Sequence, residues 1–118
     1  MKTIWQGTIL DRFIVIEGLD GAGTTTQLNM LSERLLKHGK QCYATCEPTK
    51  SPIGEMIRLA LRRDLKITPR SLALLFAADR ENHLYRTNGI ADHLKEGFFV
   101  ACDRYLFSSL VYQSLDCC

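Results

Sequence analysis

A glycine-rich stretch near the start of the chain has the residue types and spacing of a phosphate-binding loop. Gly18 and Gly23 enclose four residues, and Thr24 and Thr25 follow directly. The phosphate-binding pattern requires a lysine and then a serine or threonine at these last two positions. Thr25 satisfies the pattern, whereas Thr24 stands where the lysine is expected. Two interpretations remain open, a nucleotide-binding loop without its usual cation and a glycine-rich turn that binds nothing.

The elements predicted on either side of this loop favour the first interpretation. Residues 13–17 are mostly β-branched and apolar, which is typical of a strand buried on both faces of a parallel sheet. After the loop, leucines recur at helical spacing from Leu28 to Leu35, and Gly39 marks a helix end. A loop between such a strand and helix directs backbone N–H groups toward an anion at the helix N-terminus. Its glycines keep side chains away from the phosphates, and the Thr25 hydroxyl becomes available to Mg²⁺.

Further strands and helices alternate along the chain and predict an α/β fold, a parallel sheet flanked by helices. Asp103 is the last residue of an apolar run, and the carboxyl ends of parallel strands share one edge of a sheet. We therefore expect Asp103 beside the glycine-rich loop, where it and Thr25 would be the ligands of Mg²⁺. The additional predicted elements are strands at 41–46 and 98–103 and helices at 53–63, at 68–86 and just before Glu96.

Composition and charge exclude several classes of protein. The 118 residues suit one domain, 1–118, without a boundary. A net charge of +2, spread along the chain, does not predict a nucleic-acid partner. The longest apolar run, 72–78, is far below the roughly 20 residues that cross a bilayer, and the first residues lack a signal peptide's apolar block. The expectation is a cytoplasmic protein without membrane contact.

The cysteines and histidines show no spacing typical of a metal site or a nucleophile. Cys42, Cys46 and Cys102 fall in strand-like apolar runs, where free cysteine usually behaves as a buried hydrophobe. Cys42 and Cys46 would lie about 13 Å apart along a strand, too far to share a zinc ion. We expect the three histidines at the surface, and they are His38, His83 and His93.

Four motifs make the chain resemble the bacterial thymidylate kinases, which are phosphate-loop nucleoside monophosphate kinases. The motifs FIVIEGLDGAG, EPTKSPIGEMIR, LLFAADRENHL and CDRYLFSSLVYQ occur in the family's order and spacing between residues 13 and 113. The resemblance implies a P-loop fold and phosphoryl transfer from Mg·ATP to dTMP, giving dTDP and ADP for dTTP biosynthesis. The implied partners are these nucleotides, with ATP and Mg²⁺ as cofactors, and a homodimer is compatible with it.

The resemblance also implies roles on the dTMP side. Phe76 would stack on thymine and Arg80 would bond with the edge of the base, whereas residue types alone favour Phe76 as a core residue. Arg58 and Arg104 would hold the 5′-phosphate, although the neighbouring Asp103 and Arg104 are equally typical of a structural ion pair. The remaining base-pocket residues would be Ser108, Ser109, Tyr112 and Gln113.

On the sugar and ATP side, the resemblance implies that Glu47 and Asp20 face the sugar and the metal. Asp20 and Arg104 would be the catalytic residues. By residue type alone, Glu47 is equally a solvated loop acid and Arg58 part of a solvated helix face. The implied ATP-binding residues are Gly18, Leu19, Asp20, Gly21, Ala22, Gly23, Thr24 and Thr25.

The chain departs from the family's pattern in two respects. Thr24 cannot supply the charge with which the loop lysine follows the transferred phosphoryl group. The chain also ends soon after the base-pocket motif, so it is expected to be the amino-terminal part of a kinase domain, incomplete at its C-terminus and lacking the lid and last strands. The alternatives are a nucleotide-binding fragment without catalysis and a kinase for another nucleoside monophosphate.

Overall fold

The computed structural model describes residues 11–18 and 23–105, which form three strands and four helices in alternation. The three strands form a parallel sheet in the order β1–β3–β2. This confirms the predicted α/β class, and each predicted element within these ranges is found, with its bounds shifted by two residues at most. The elements are β1 (Phe13–Gly18), α1 (Thr24–Lys37), β2 (Cys42–Glu47), α2 (Pro52–Leu61), α3 (Pro69–Tyr85), α4 (Ile90–Lys95) and β3 (Phe99–Tyr105).

Local capping signals explain why α2 and α3 begin where they do. Ser51 and Thr68 occupy the N-cap positions, and each side chain accepts a hydrogen bond from the backbone N–H three residues later. Pro52 and Pro69 follow at the first helical position, where the missing N–H has no helical partner to lose. Both helix starts therefore follow from neighbouring residues, which is why the sequence predicts them closely.

One face of the sheet changes from apolar to charged toward its carboxyl edge. Residues in register on parallel strands point to the same face, and every second residue returns to it. On this face, the row Phe13–Val100–Tyr43 packs against Leu84 of α3 and Ile90 of α4 in the core. Burial is complete in the middle of the sheet, where Val100 and Cys102 are 0% exposed. The three rows are Phe13–Val100–Tyr43, Val15–Cys102–Thr45 and Glu17–Arg104–Glu47.

The opposite face of the sheet is covered by α1, which lies against β2 and β3. Leu28 of α1 is buried there. Asp103 pairs in register with Ile16 and Cys46, so it belongs to this face, whereas Arg104 belongs to the other. Adjacent residues at the end of β3 therefore serve two different sides of the sheet.

The cysteines and histidines test the expectations for buried and exposed residues. Cys102 is a buried free thiol as predicted, and burial raises the pKa of this thiol. Cys42 and Cys46 are free but only half-buried. The surface prediction is confirmed for His38 and is wrong for His83, which is 0% exposed because its ring fills the space between α3 and β2. It also fails for His93, which is half-buried and stacked on a tyrosine ring at 3.8 Å.

No helix within 11–18 and 23–105 combines the length and the apolar character that a membrane span requires.

The segment between β2 and α2 contacts α3 on one side and α2 on the other. The Asp79 carboxylate of α3, 2% exposed, accepts hydrogen bonds from the Thr49 backbone N–H at 2.9 Å and from its hydroxyl at 2.6 Å. On the other side, α2 approaches so closely that a Cβ on Gly54 would lie 1.8 Å from the Thr49 carbonyl oxygen. This segment follows Glu47 directly, so its fixed position also fixes the end of β2.

We expect Gly54→Ala to lower the free energy of unfolding by about 3 kcal/mol or more, because the added methyl group overlaps a fixed backbone. This loss should occur even though alanine is the better helix former. Gly39→Ala is the matched control, since Gly39 has a φ of 75° with nothing within 4 Å of an added Cβ. Its cost should be only the left-handed strain of about 1 to 2 kcal/mol. Urea unfolding measures both, and equal losses would contradict the close contact between Gly54 and Thr49.

Candidate active site

Two predicted metal ligands meet at the carboxyl edge of the sheet. The Thr25 hydroxyl, in the first turn of α1, donates a hydrogen bond of 3.0 Å to Asp103 Oδ2. The two residues are 78 positions apart in sequence and come together because β1 and β3 are adjacent. A hydroxyl and a carboxylate oxygen are hard donors of the kind that Mg²⁺ takes in phosphate-loop proteins. The pair therefore suits the predicted metal role in both chemistry and position.

Helix α1 begins beside this pair, and the first backbone N–H groups of a helix have no partner within the helix. Gly23 is the N-cap with a φ of 80°, and no side chain in the described part of the chain caps the helix. Among the described residues nothing lies within 4 Å of a Cβ built on Gly23, whereas its backbone angle favours glycine. Thr24 is the first helical residue. The other members of the predicted loop, Leu19, Asp20, Gly21 and Ala22, lie outside the described residues.

A buried ionic network lies on the opposite face of the same edge, centred on Glu47. One carboxylate oxygen, Oε2, is 2.9 Å from His83 Nδ1. The other, Oε1, is 3.2 Å from Arg80 Nε and 3.5 Å from Arg104 Nε. The network joins the end of β2 to α3 and to β3. Glu47 is consequently not the solvated acid that its residue type allowed.

The neighbours of Glu47 determine its charge state. Burial alone would raise the pKa of this carboxyl. The hydrogen bond from His83 and the charges of Arg80 and Arg104 outweigh burial, so the pKa lies below its ordinary value of 4.5. Glu47 is therefore a carboxylate at neutral pH, and it keeps two arginines oriented at the edge of the sheet.

Arg104 lies between two carboxylates and does not pair with its neighbour Asp103. Its Nε atom is 3.5 Å from Glu47 and 3.8 Å from Glu17, on the face away from Asp103. This Nε is buried and makes no hydrogen bond to the residues described. Of the two interpretations, an ion pair with Asp103 is excluded by the alternation of β3, while phosphate binding stays a prediction.

Arg58 is held by the segment that follows β2. Its two Nη atoms donate to the carbonyl oxygens of Thr49, at 2.6 Å, and of Pro48. The same guanidinium forms an ion pair of 2.8 Å with Glu55 on its own helix. Arg58 is half-buried, and the alternative of a solvated helix face is wrong. Its proposed contact with phosphate stays a prediction.

Phe76 and Arg80 lie one turn apart on α3, as their spacing predicts. Phe76 is 6% exposed, in keeping with a core residue, and its stacking on a base stays a prediction. Arg80 keeps 36% of its side chain exposed while it contacts Glu47. The remaining predicted base-pocket residues, Ser108, Ser109, Tyr112 and Gln113, lie outside the described part of the chain.

A cavity of about 500 Å³ connects several of these residues. It is lined by Thr25, Asp103, Glu47 and Arg58, which come from the two faces of the sheet edge and from α2. Its volume is in the range of pockets that hold nucleotide-sized ligands. Lys50, an exposed cation, also lines it.

Sequence reasoning missed the network's central donor, His83, and the anchoring carboxylate, Asp79. Both lie inside the motif LLFAADRENHL, and His83 follows Arg80 at the three-residue spacing that places side chains on one helix face. That spacing was the available signal. It could not show that the end of β2 packs against this face of α3.

We expect Glu47→Gln to lower the free energy of unfolding at pH 7 by about 1.5 to 3 kcal/mol, the range for hydrogen bonds to charged groups. A carboxyl whose pKa is lowered by folding adds stability above its unfolded pKa and loses it as pH falls through the folded pKa. The difference between parent and variant should therefore be constant near pH 7 and shrink below about 4.5. Glu81→Gln, at an exposed position of α3, is the control and should change little. A difference that does not shrink at all below about pH 4.5 would contradict the charge network.

Sequence comparisons identify relatives of the chain. A family model described as thymidylate kinase matches residues 16–117. A protein of Treponema pallidum (strain Nichols), named for thymidylate kinase activity, is 50% identical over 107 residues, which are 91% of this chain and 51% of that protein. The thymidylate kinase of Thermosipho africanus (strain TCF52B) is 45% identical over 102 residues, which are 86% of this chain and 50% of that protein.

Solved structures of thymidylate kinases have the same fold. The structure from Ehrlichia chaffeensis matches with a TM-score of 0.65 and 29% identity, covering 89% of this chain and 66% of that one. The structure from Candida albicans matches with a TM-score of 0.66 and 33% identity, covering 81% of this chain and 40% of that one. The chain spans about half the length of the curated relatives it matches. With its family model matched over residues 16–117 and with these structural neighbours, the chain belongs to the thymidylate kinase family.

Proposed function

We propose that this chain binds dTMP and ATP for phosphoryl transfer, with dTDP and ADP as products. The observation that carries the proposal is the pairing of two sets of residues at one sheet edge. Thr25 and Asp103 meet on one face, Glu47 and Arg104 lie on the other, and a cavity of about 500 Å³ touches both faces. Family membership supports the choice of dTMP and ATP.

On the ATP side, the backbone N–H groups at the start of α1 would bind phosphate oxygens, because they and the helix dipole attract anions. Mg²⁺ would be held by the oxygens of Thr25 and Asp103. These two oxygens lie 3.0 Å apart, which is close enough for both to bind one ion. A bound Mg²⁺ would neutralise charge on the phosphate oxygens.

On the dTMP side, arginines would bind the 5′-phosphate and the base. Arginine carries about five N–H donors, so the three hydrogen bonds of Arg58 leave donors for a phosphate. Arg104 directs its Nε toward Glu47 and Glu17, at 3.5 Å and 3.8 Å, and its terminal N–H groups would donate to a phosphate oxygen. Arg80 reaches the same edge from α3 and would meet the base beside Phe76.

Catalysis in this proposal comes from positioning and charge neutralisation, without a covalent intermediate. The arginines hold the acceptor phosphate, and the start of α1 holds the donor. The loop lacks its usual lysine, because Thr24 offers a hydroxyl and a backbone N–H but no charge. Lys50 is an exposed lysine that lines the same cavity as Thr25 and Asp103, so it is the first substitute to test. A cytoplasmic location stays a prediction from the sequence, and a homodimer stays one from the family resemblance.

A coupled assay for ADP tests the proposal directly, with the purified chain, Mg·ATP and dTMP. Turnover with dTMP above that with dUMP, dGMP or AMP would support a thymidylate kinase. The absence of the loop lysine favours a second candidate, a nucleotide-binding domain without catalysis. Titration calorimetry separates the two, since binding of ATP or dTMP without turnover would support the second. If neither nucleotide binds, both proposals are wrong.

We expect Arg104→Ala to weaken dTMP binding by about 1.5 to 3 kcal/mol, because a hydrogen-bonded charge on the phosphate is lost. Binding of thymidine, which has no phosphate, should weaken much less. Titration calorimetry with both ligands gives the ratio. Arg62→Ala, which removes an exposed arginine paired with Asp64 at 3.4 Å, is the control and should change neither affinity. Equal losses for dTMP and thymidine would assign Arg104 a structural role.

We expect Thr24→Lys to raise phosphoryl transfer if the loop is a phosphate site that lacks its cation. A charge placed against oxygens that gain charge in transfer is worth about 2.7 to 4 kcal/mol in comparable sites. The coupled assay measures this gain, and ATP affinity should improve less. Lys50→Ala in the parent chain provides the contrast. Loss of turnover in Lys50→Ala, with no gain from Thr24→Lys, would show that Lys50 already supplies the charge.

A further inference from the structure

The imidazole of His83 is a buried group that the proposed reaction does not use. It is 0% exposed, and both ring nitrogens are engaged. Nδ1 is 2.9 Å from Glu47 Oε2, and Nε2 is 2.6 Å from the Thr45 hydroxyl. Thr45 and Glu47 point from β2 to the same face of the sheet, two residues apart, so one ring on α3 bridges both of them.

The chemistry of Glu47 determines which way the first hydrogen bond runs. An ionised carboxylate only accepts hydrogen bonds, so Nδ1 carries the proton and donates it to Oε2. In the neutral ring, Nε2 then accepts from the Thr45 hydroxyl. The carboxylate thus sets this tautomer, and the Thr45 hydroxyl gives the second ring nitrogen a partner.

The two oxygens of Glu47 therefore have separate partners. His83 holds Oε2, while Oε1 faces Arg80 at 3.2 Å and Arg104 at 3.5 Å. Without the Nδ1–H donor, Oε2 would be a buried acceptor without a partner, which is costly. The carboxylate would then rotate to share its arginines between both oxygens. That rotation would draw the guanidinium groups away from the positions they hold at the sheet edge.

We propose that His83 is a positioning residue that fixes the Glu47 carboxylate, so that Arg80 and Arg104 are oriented to bind a nucleoside monophosphate. The proposal rests on the proposed binding of dTMP. His83 itself touches neither nucleotide. Its effect is transmitted through one oxygen of Glu47.

The two ring nitrogens allow this positioning role to be separated from simple packing. In His83→Asn, the side-chain amide occupies roughly the place of Nδ1 and can still donate to Glu47. In His83→Gln, the amide extends toward the place of Nε2, so it can bond with Thr45 but leaves Oε2 without its donor. Thr45→Val is the matched control, since it removes the partner of Nε2 and keeps the branched shape of the side chain.

The experiment compares dTMP and thymidine affinity by titration calorimetry in the parent chain and these three variants, with urea unfolding for each. His83→Asn and Thr45→Val should keep dTMP affinity within about threefold of the parent. His83→Gln should weaken dTMP binding about tenfold or more, the effect of losing a hydrogen bond to a charged group, and thymidine binding less. If His83 had only a structural role, dTMP affinity would instead decrease in parallel with the free energy of unfolding across all variants.

Equal dTMP affinity in folded His83→Asn and His83→Gln would overturn the proposal, as would a loss in Thr45→Val as large as that in His83→Gln. A parent chain that binds no dTMP would reject the proposed function itself, and the positioning role with it. Should the variants fail to fold, ¹H–¹⁵N spectra of the imidazole in the unaltered chain decide. A protonated Nδ1 whose resonance moves in Glu47→Gln supports the proposal, and an unprotonated Nδ1 contradicts it.

Discussion

The carboxylate of Glu47 is the constraint on which the charged edge of this sheet depends. It is buried at the end of β2, and it is stabilised because a histidine and an arginine from α3 and an arginine from β3 converge on it. A buried charge without such partners would be strongly destabilising. The three elements must therefore meet at this point for the protein to fold. The same arrangement holds two arginines at the edge of the sheet, so in the proposed function both stability and dTMP binding would depend on one group.

The alternation of side chains along β3 divides the site into two halves. Asp103 faces α1 and accepts the hydrogen bond from Thr25, whereas Arg104 faces α3 and contacts Glu47. In the proposed function, one strand end would supply a carboxylate to the metal and ATP side and a guanidinium to the dTMP side. Phosphoryl transfer requires donor and acceptor close together and in line, and neighbouring residues of one strand would hold the two sides near each other.

The segment after β2 is held in place by side chains from α3 and α2, and it supports the site at the end of β2. Asp79 accepts from the backbone and hydroxyl of Thr49, while Arg58 donates to the carbonyl oxygens of the same segment. Gly54 allows α2 to approach within contact distance of it. Gly54 and Arg58 lie on α2 and Asp79 lies on α3, and a local side chain caps the start of each helix. The helices therefore form from local signals, and the segment is fixed only when they come together.

The sequence by itself determined the order and nearly the bounds of the elements, because periodicity, caps and glycine positions act over a few residues. It also determined the loop pattern with Thr24 in the lysine position and the carboxylate at the end of β3. It also placed Asp103 beside Thr25, because the carboxyl ends of parallel strands share one edge of the sheet. Only the tertiary structure decided which residues surround Glu47, among them His83 at a distance of 36 positions in sequence. His83 was expected at the surface because a histidine on a helix resembles any polar residue until the strand that covers it is in place. Contacts of this kind depend on strand order and on the side to which each residue points, and no local pattern in the chain encodes either.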